Sequence, residues 1–173
     1  MTHAWHDITP GERLPREFTA VIEIPMGANI KYELDEETGN VLVDRIMPTT
    51  MRYPANYGLI PDTKGKDGDA LDVLVFTSEA LAPNTFIKCR LVGMLEMEDE
   101  AGIDHKLIAV PLAKVDFVCG KWESMSDIPP HLLDRMKHFF EHYKDLETGK
   151  WVKINNFLGY EEALKVLQEG SQA

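Results

Sequence analysis

The chain is short of cysteine, of long apolar runs and of basic residues, and each shortage removes a class of protein. Among 173 residues only Cys89 and Cys119 are cysteines. Two isolated thiols make neither a disulfide framework nor a zinc knuckle, and they suit a reducing compartment. The longest uninterrupted apolar stretch, Leu107 to Ala113, contains Pro111 and spans seven residues, against the roughly 20 that a membrane-spanning helix needs. The first 25 residues carry no secretory apolar core, so the expectation is a cytoplasmic protein. Lys and Arg number 18 against 29 Asp and Glu, a formal net charge of −11. Such a surface repels phosphate backbones, so neither nucleic acid nor an anionic membrane is an expected partner. Cations are.

What is present describes a globular domain. A hydrophobic fraction of 44% supports a core, and 27% charged residues is ordinary, which excludes intrinsic disorder. Neither an internal repeat nor a Pro/Gly/Ser-rich linker divides the chain, so a single domain over 1–173 is expected. Strand patterns run over Phe18–Ile24, over Ile30–Leu34 and Val41–Ile46 as a hairpin closed by 35–40, and over Leu71–Thr77, Phe86–Leu95, His105–Pro111 and Trp151–Ile154. They follow one another without the helical crossovers of a parallel sheet, which predicts an antiparallel barrel or curled sheet. A long helix should open after Ser126-Asp127, with Pro129 and Pro130 in its first turn, and end by Gly149. Its stripe is Leu132, Met136, Phe139, Phe140 and Tyr143; a second helix covers Tyr160 to Gln168. The predicted class is α+β.

The sharpest chemical signal is Asp67-Gly68-Asp69-Ala70-Leu71-Asp72, three carboxylates in six residues at the mouth of an apolar strand. Carboxylates brought to about 4 Å repel by about 4 kcal/mol per pair at an effective dielectric near 20, so a convergent cluster calls for a cation. Oxygen-only donors select hard ions such as Mg²⁺, Mn²⁺ or Ca²⁺. The competing explanation is a solvated acidic loop. The alternating spacing of an EF-hand is absent. A second acidic stretch, Glu96, Glu98, Asp99, Glu100 and Asp104, reads as a charged loop between strands. Glu23 and Glu33 lie inside strand patterns, with Lys31 on the same face as Glu33. Arg45 is another strand-borne cation, either a hairpin salt bridge or a phosphate ligand. Carboxylates flanked by Lys and Arg would suit a metal-bound phosphate oxyanion. Tyr53 and Tyr57 offer phenols at a turn.

Two rival functions are considered. A non-catalytic Ca²⁺-binding module would need the acidic loop and none of the cations. The stretch His138-x-x-Glu141-His142 matches the inverted zinc-peptidase motif, but His138 and Glu141 fall away from the helix's apolar stripe. That placement favours an exposed pair over a buried metal site.

Seven motifs, in order from about Phe18 to Lys153, resemble the soluble family I inorganic pyrophosphatases of bacterial type. They are Glu23-Ile24-Pro25, Ile30-Lys31-Tyr32-Glu33, Val43-Asp44-Arg45, Tyr53-Pro54-x-Asn56-Tyr57-Gly58, Asp67-Gly68-Asp69-x-x-Asp72-Val73, Asp99-Glu100-x-Gly102-x-Asp104-x-Lys106 and His138-Phe139-Phe140-Glu141-His142-Tyr143-Lys144. One position departs: Ala70 stands where the family signature usually carries Pro or Glu, between the ligand positions. The resemblance implies a five-stranded antiparallel OB-like β-barrel with two main helices packed outside, a homohexamer, and Mg²⁺-dependent hydrolysis of inorganic diphosphate to two orthophosphates. Several Mg²⁺ ions per site are implied, with Mn²⁺ or Zn²⁺ as substitutes. By motif position, Asp67, Asp72 and Asp104 would hold the first metal ion, with Asp72 bridging to a second. Asp69 would be the general base. Asp99 with Asp104, and Glu23 with Glu33 through waters, would serve ions arriving with the substrate. Lys31, Arg45, Tyr57, Lys106, Tyr143 and Lys144 would hold phosphate oxygens.

Overall fold

The computed structural model describes residue 3 and residues 7–172; Met1, Thr2, Ala4, Trp5, His6 and Ala173, which the expected 1–173 domain includes, lie outside the described residues. Among the described residues, nine strands and two α-helices follow in the order β1 (Phe18–Ile24), β2 (Ile30–Leu34), β3 (Val41–Ile46), β4 (Asn56–Ile60), β5 (Leu71–Val75), β6 (Thr85–Asp99), β7 (Gly102–Ile103), β8 (Lys106–Pro111), α1 (Pro130–His142), β9 (Val152–Leu158) and α2 (Tyr160–Ser171). The fold is α+β. Among the described residues no helix is long and apolar enough to cross a membrane.

The expected five-stranded antiparallel sheet is corrected in two respects. Among the described residues the main sheet has seven strands, in the order β1-β4-β5-β8-β6-β7 with β9 on β6, and it is mixed because β5 and β8 run parallel. A parallel pair needs only a connection long enough to return the chain to the same end. Here the excursion through β6 and β7 supplies that return, so the lack of an intervening helix was no sign of an all-antiparallel sheet. β6 also pairs with β1, so the path β1-β4-β5-β8-β6 returns to its start. β2 and β3 stand apart as a two-stranded hairpin.

β4 and β6 differ from the sequence pattern because of partners distant in the chain. The sequence places Tyr53 and Tyr57 near a turn, but Asn56–Ile60 is a strand. Gly58 in fact sits in mid-strand opposite Ile22, where an added Cβ would lie 1.9 Å from the Val21 carbonyl oxygen. The glycine is there for the close approach of β1, a use that pattern alone does not distinguish from a turn. β6 runs on to Asp99 instead of stopping at Leu95, since β9 pairs with Glu96, Met97, Glu98 and Asp99. Glu96, Glu98 and Asp99 are therefore strand residues and not loop residues. α1 runs from Pro130 to His142, within the expected bounds, and the chain then folds into successive tight turns before Gly149.

Both faces of the sheet are buried, which explains unbroken apolar stretches such as Leu107–Val110. Leu74, Phe76, Val92, Ile108 and Val110 pack against Met136, Phe139 and Phe140 of α1. On the opposite side Phe18, Ala20, Ile22, Val73, Val75, Leu91, Leu107 and Ala109 meet Ala163 and Leu167 of α2. Each large side chain fully buried in these layers contributes about 1.5–3 kcal/mol. This packing fixes the strand ends from which the polar residues project.

Candidate active site

The parallel pairing brings the starts of β5 and β8 side by side. Val73 pairs with Leu107, so Asp72 and Lys106, each one residue earlier, are neighbours. The Lys106 ammonium, 4% exposed, donates to Asp72 Oδ2 at 2.5 Å, Asp104 Oδ1 at 2.6 Å and the Tyr57 hydroxyl at 3.0 Å. Burial works against its charge, but Asp72, Tyr57 and Asp104 hold its pKa well above the usual ammonium range. A buried charge survives only with such partners.

Asp72 lines two cavities. One, of about 330 Å³, is also lined by Glu23, Lys31, Glu33, Tyr57 and Asp69; the other, of about 420 Å³, by Asp67 and Asp104 and by residues of α2. The acidic loop is shaped by Gly68, at φ +98, and by the Asp69 N–H donating to Asp67 Oδ1 at 3.1 Å. α2 backs this loop: the Lys64 N–H donates to the Gly170 carbonyl at 2.8 Å.

Burial first, and neighbouring negative charge second, raise the pKa of two of these acids. Burial pushes Glu23 up to about 7, with Asp72 and Glu33 adding to the rise and the Leu34 N–H, at 2.7 Å, opposing it. Partial desolvation and the nearby charges of Asp67, Glu36, Asp72 and Glu33 raise Asp69 as well. Oxygen-only donors crowded enough to resist ionisation fit hard divalent cations. Among the described residues no three His, Cys, Asp or Glu side chains close into a ready metal cage. The carboxylates are instead drawn onto the lysines.

The remaining cations arrive from three directions. Lys31 on β2 donates to Glu33 and, at 2.9 Å, to Asp44 Oδ2. Burial opposes its charge, yet Glu33 and Asp44 hold its pKa above the ordinary value. Lys144, just past α1, donates to Asp99 Oδ2 at 2.7 Å, with Glu100 at 3.7 Å. Its pKa is likewise raised, by Asp99 against the effect of burial. Arg45 on β3 donates to Glu147 Oε1 at 2.5 Å. The tyrosines are stacked by α1: Phe139 lies 4.7 Å from the Tyr53 ring and 5.1 Å from that of Tyr143, and Tyr53 meets Tyr57 edge-on at 5.6 Å. Burial raises the phenols of Tyr57 and Tyr143, so both stay protonated hydrogen-bond donors at neutral pH.

All thirteen expected residues thus lie on connected elements, in two groups. Glu23, Lys31, Glu33, Tyr57, Asp67, Asp69, Asp72, Asp104 and Lys106 surround Asp72. Asp99, Tyr143, Lys144 and Arg45 form a flank around the end of α1. Three acids escaped sequence reasoning: Asp44, Glu100 and Glu147, the partners of Lys31, Lys144 and Arg45. Asp44 and Glu100 lay within quoted motifs, but nothing in a sequence shows which cation they face. The zinc triplet does not converge. His138 and His142 are exposed on α1 with rings 4.7 Å apart, and His142 Nδ1 is 2.8 Å from Asp145 Oδ2.

Comparison with known proteins gives a consistent picture. The family model described as inorganic pyrophosphatase matches residues 20–173. An inorganic pyrophosphatase of Thermoplasma volcanium is 52% identical over 158 residues, 91% of this chain and 94% of the relative. One from Aquifex pyrophilus is 49% identical over 166 residues, 96% and 94%. The crystal structure of the Thermus thermophilus inorganic pyrophosphatase superposes with a TM-score of 0.93 at 36% identity, covering 99% of this chain and 98% of that one.

Proposed function

The chain belongs to the inorganic pyrophosphatase family; it is an inorganic diphosphatase (EC 3.6.1.1), and we propose the division of labour among its residues that follows. Diphosphate is cleaved to two orthophosphates by attack of water on one phosphorus. Asp69 takes the proton from that water, the P–O bond to the bridging oxygen breaks, and the electron pair leaves with the second phosphate. Lys31, Arg45, Tyr57, Lys106, Tyr143 and Lys144 hold phosphate oxygens and offset the charge that develops on the leaving group. Asp67, Asp72 and Asp104 would hold the first Mg²⁺, Asp72 being shared with a second. Asp99 with Asp104, and Glu23 with Glu33 through waters, would hold ions that come with the substrate. Divalent ions held there would lower the pKa of bound water and so make its proton easier for a carboxylate base to take.

The observation that carries this reading is the position of Asp72, which faces Asp69 and Lys31 in one cavity, Asp67 and Asp104 in the other, and touches Lys106 directly. A passive Ca²⁺ module has no use for the cations gathered beside these acids. The pairing path closed by β6 on β1 supports an OB-like five-stranded barrel with one parallel pair as the core. A single domain over 1–173, a homohexamer, cytoplasmic location, Mn²⁺ or Zn²⁺ as substitute ions, and no nucleic-acid or membrane partner complete the proposal.

The test is phosphate release from diphosphate with Mg²⁺, with Mg²⁺ plus chelator, and with Asp69→Asn. Release with Mg²⁺ and its loss with chelator are expected. Asp69→Asn should keep substrate affinity while kcat falls about 10²- to 10⁴-fold. Near wild-type turnover by that variant would move the base role to another residue.

A further inference from the structure

Arg45 reaches the site from the separate β2–β3 hairpin, and its guanidinium is gripped by Glu147, 102 positions later in the chain. The contact is asymmetric. Nη1 donates to Glu147 Oε1 at 2.5 Å, with the Glu147 side chain 15% exposed. The nearest other acid, Asp44, has its Oδ2 3.7 Å from Nε, beyond hydrogen bonding. Nε itself is buried with no hydrogen-bond partner. A guanidinium is a rigid planar fork that binds phosphate through two parallel N–H donors. Glu147 occupies one terminal nitrogen and leaves a donor edge unmet.

Glu147 is itself held in place. Its N–H donates to the Lys144 carbonyl at 2.9 Å, and its carbonyl accepts from the Lys150 N–H at 3.2 Å. The turn that fixes Glu147 is therefore the one that follows Tyr143 and Lys144. One acid links the hairpin cation to the segment carrying two of the other proposed phosphate ligands.

We propose that Glu147 is a positioning residue for diphosphate binding: it clamps Nη1 of Arg45 so that the other terminal nitrogen, Nη2, is presented to a phosphate oxygen. The inference rests on the diphosphatase reading and extends it to a residue that touches no substrate. The opposite role, a counter-ion that substrate must displace from Arg45, predicts the opposite effect of removal. A clamp lost weakens binding, whereas a competitor lost tightens it.

The experiment measures calorimetric binding of methylenediphosphonate, a diphosphate with an uncleavable bridge, in excess Mg²⁺, alongside steady-state hydrolysis by the full chain. Glu147→Gln should weaken analogue affinity and raise KM about tenfold, the scale of one charge-assisted hydrogen bond, with kcat within about threefold of wild type. In an Arg45→Ala background the same change should add nothing, because the clamp then has nothing to hold. Unchanged or tighter binding by Glu147→Gln overturns the proposal, as does an equal loss in the Arg45→Ala background. Melting curves identify any variant that fails to fold, and in that case Glu147→Ala is read by the same cycle. If the unmutated chain binds the analogue but releases no phosphate, the hydrolysis reading falls while the affinity ratio still decides the clamp.

Discussion

Glu23 is the side chain on which folding and function pull hardest against each other. Its position on β1 puts it among buried apolar residues, and its carboxylate is satisfied by the Leu34 N–H instead of by a cation. The folded pKa of about 7 lies above the ordinary 4.5. The folded state therefore holds its proton more tightly than the unfolded chain, so between these two values stability falls as pH rises. The ionisation penalty is absent below about 4.5 and fully present above about 7, with a ceiling on the order of 3 kcal/mol. In chelator, Glu23→Gln should be more stable than wild type at pH 8 by up to that amount, and the gap should close by pH 5, as read from urea midpoints. A variant less stable than wild type at pH 8 would show that cations already neutralise Glu23. Such a cost is tolerable in a residue kept for its charge.

At the scale of elements, the site is an assembly of strand starts and helix ends held by packing behind them. β4 delivers Tyr57 only because Gly58 lets it lie against β1. Gly58→Ala would place a methyl carbon 1.9 Å from the Val21 carbonyl oxygen, which backbone cannot accommodate without separating the strands. About 3 kcal/mol or more of destabilisation is expected, visible as a lowered denaturant midpoint together with a raised KM as Tyr57 shifts. A near wild-type midpoint would mean that the β1–β4 pairing has slack. β1, β2 and β3 were legible at their stated boundaries, since their alternation and turn residues are local. β4 was not, because its glycine answers to a strand 36 residues earlier in the pairing of Ile22 with Gly58. The continuation of β6 to Asp99 was hidden for a similar reason, as it depends on β9.

For the whole molecule, the net charge of −11 is less informative than its distribution. Most acids are surface residues, while those around Asp72 are crowded enough to depend on the cations placed beside them. Ions that bind the folded site and not the unfolded chain stabilise by mass action, about 2.7 kcal/mol at 100 times Kd. For a chain of this size that corresponds to a rise in Tm of about 5–10 °C. Melting with Mg²⁺ should show this rise, and Asp72→Asn, which alters both cavities, should lose most of it. A NaCl control at matched ionic strength separates site binding from screening. If NaCl reproduces the rise, the ions act on the surface and the proposed metal ligands are wrong.

The sequence by itself determined the class of fold, the boundaries of β1, β2 and β3 and the apolar faces of both helices, because spacing and residue type are local properties, while the thirteen candidate site residues came from the family resemblance. The tertiary structure alone decided who faces whom. Asp72 meets Lys106 only through the parallel register of β5 and β8, and Arg45 meets Glu147 only because a separate hairpin folds over the end of α1. Such pairings join positions 34 and 102 residues apart, and their choice is made by the packing of both faces of the sheet. No local pattern carries that information, and it is what turns a list of acids and bases into a site able to cleave diphosphate.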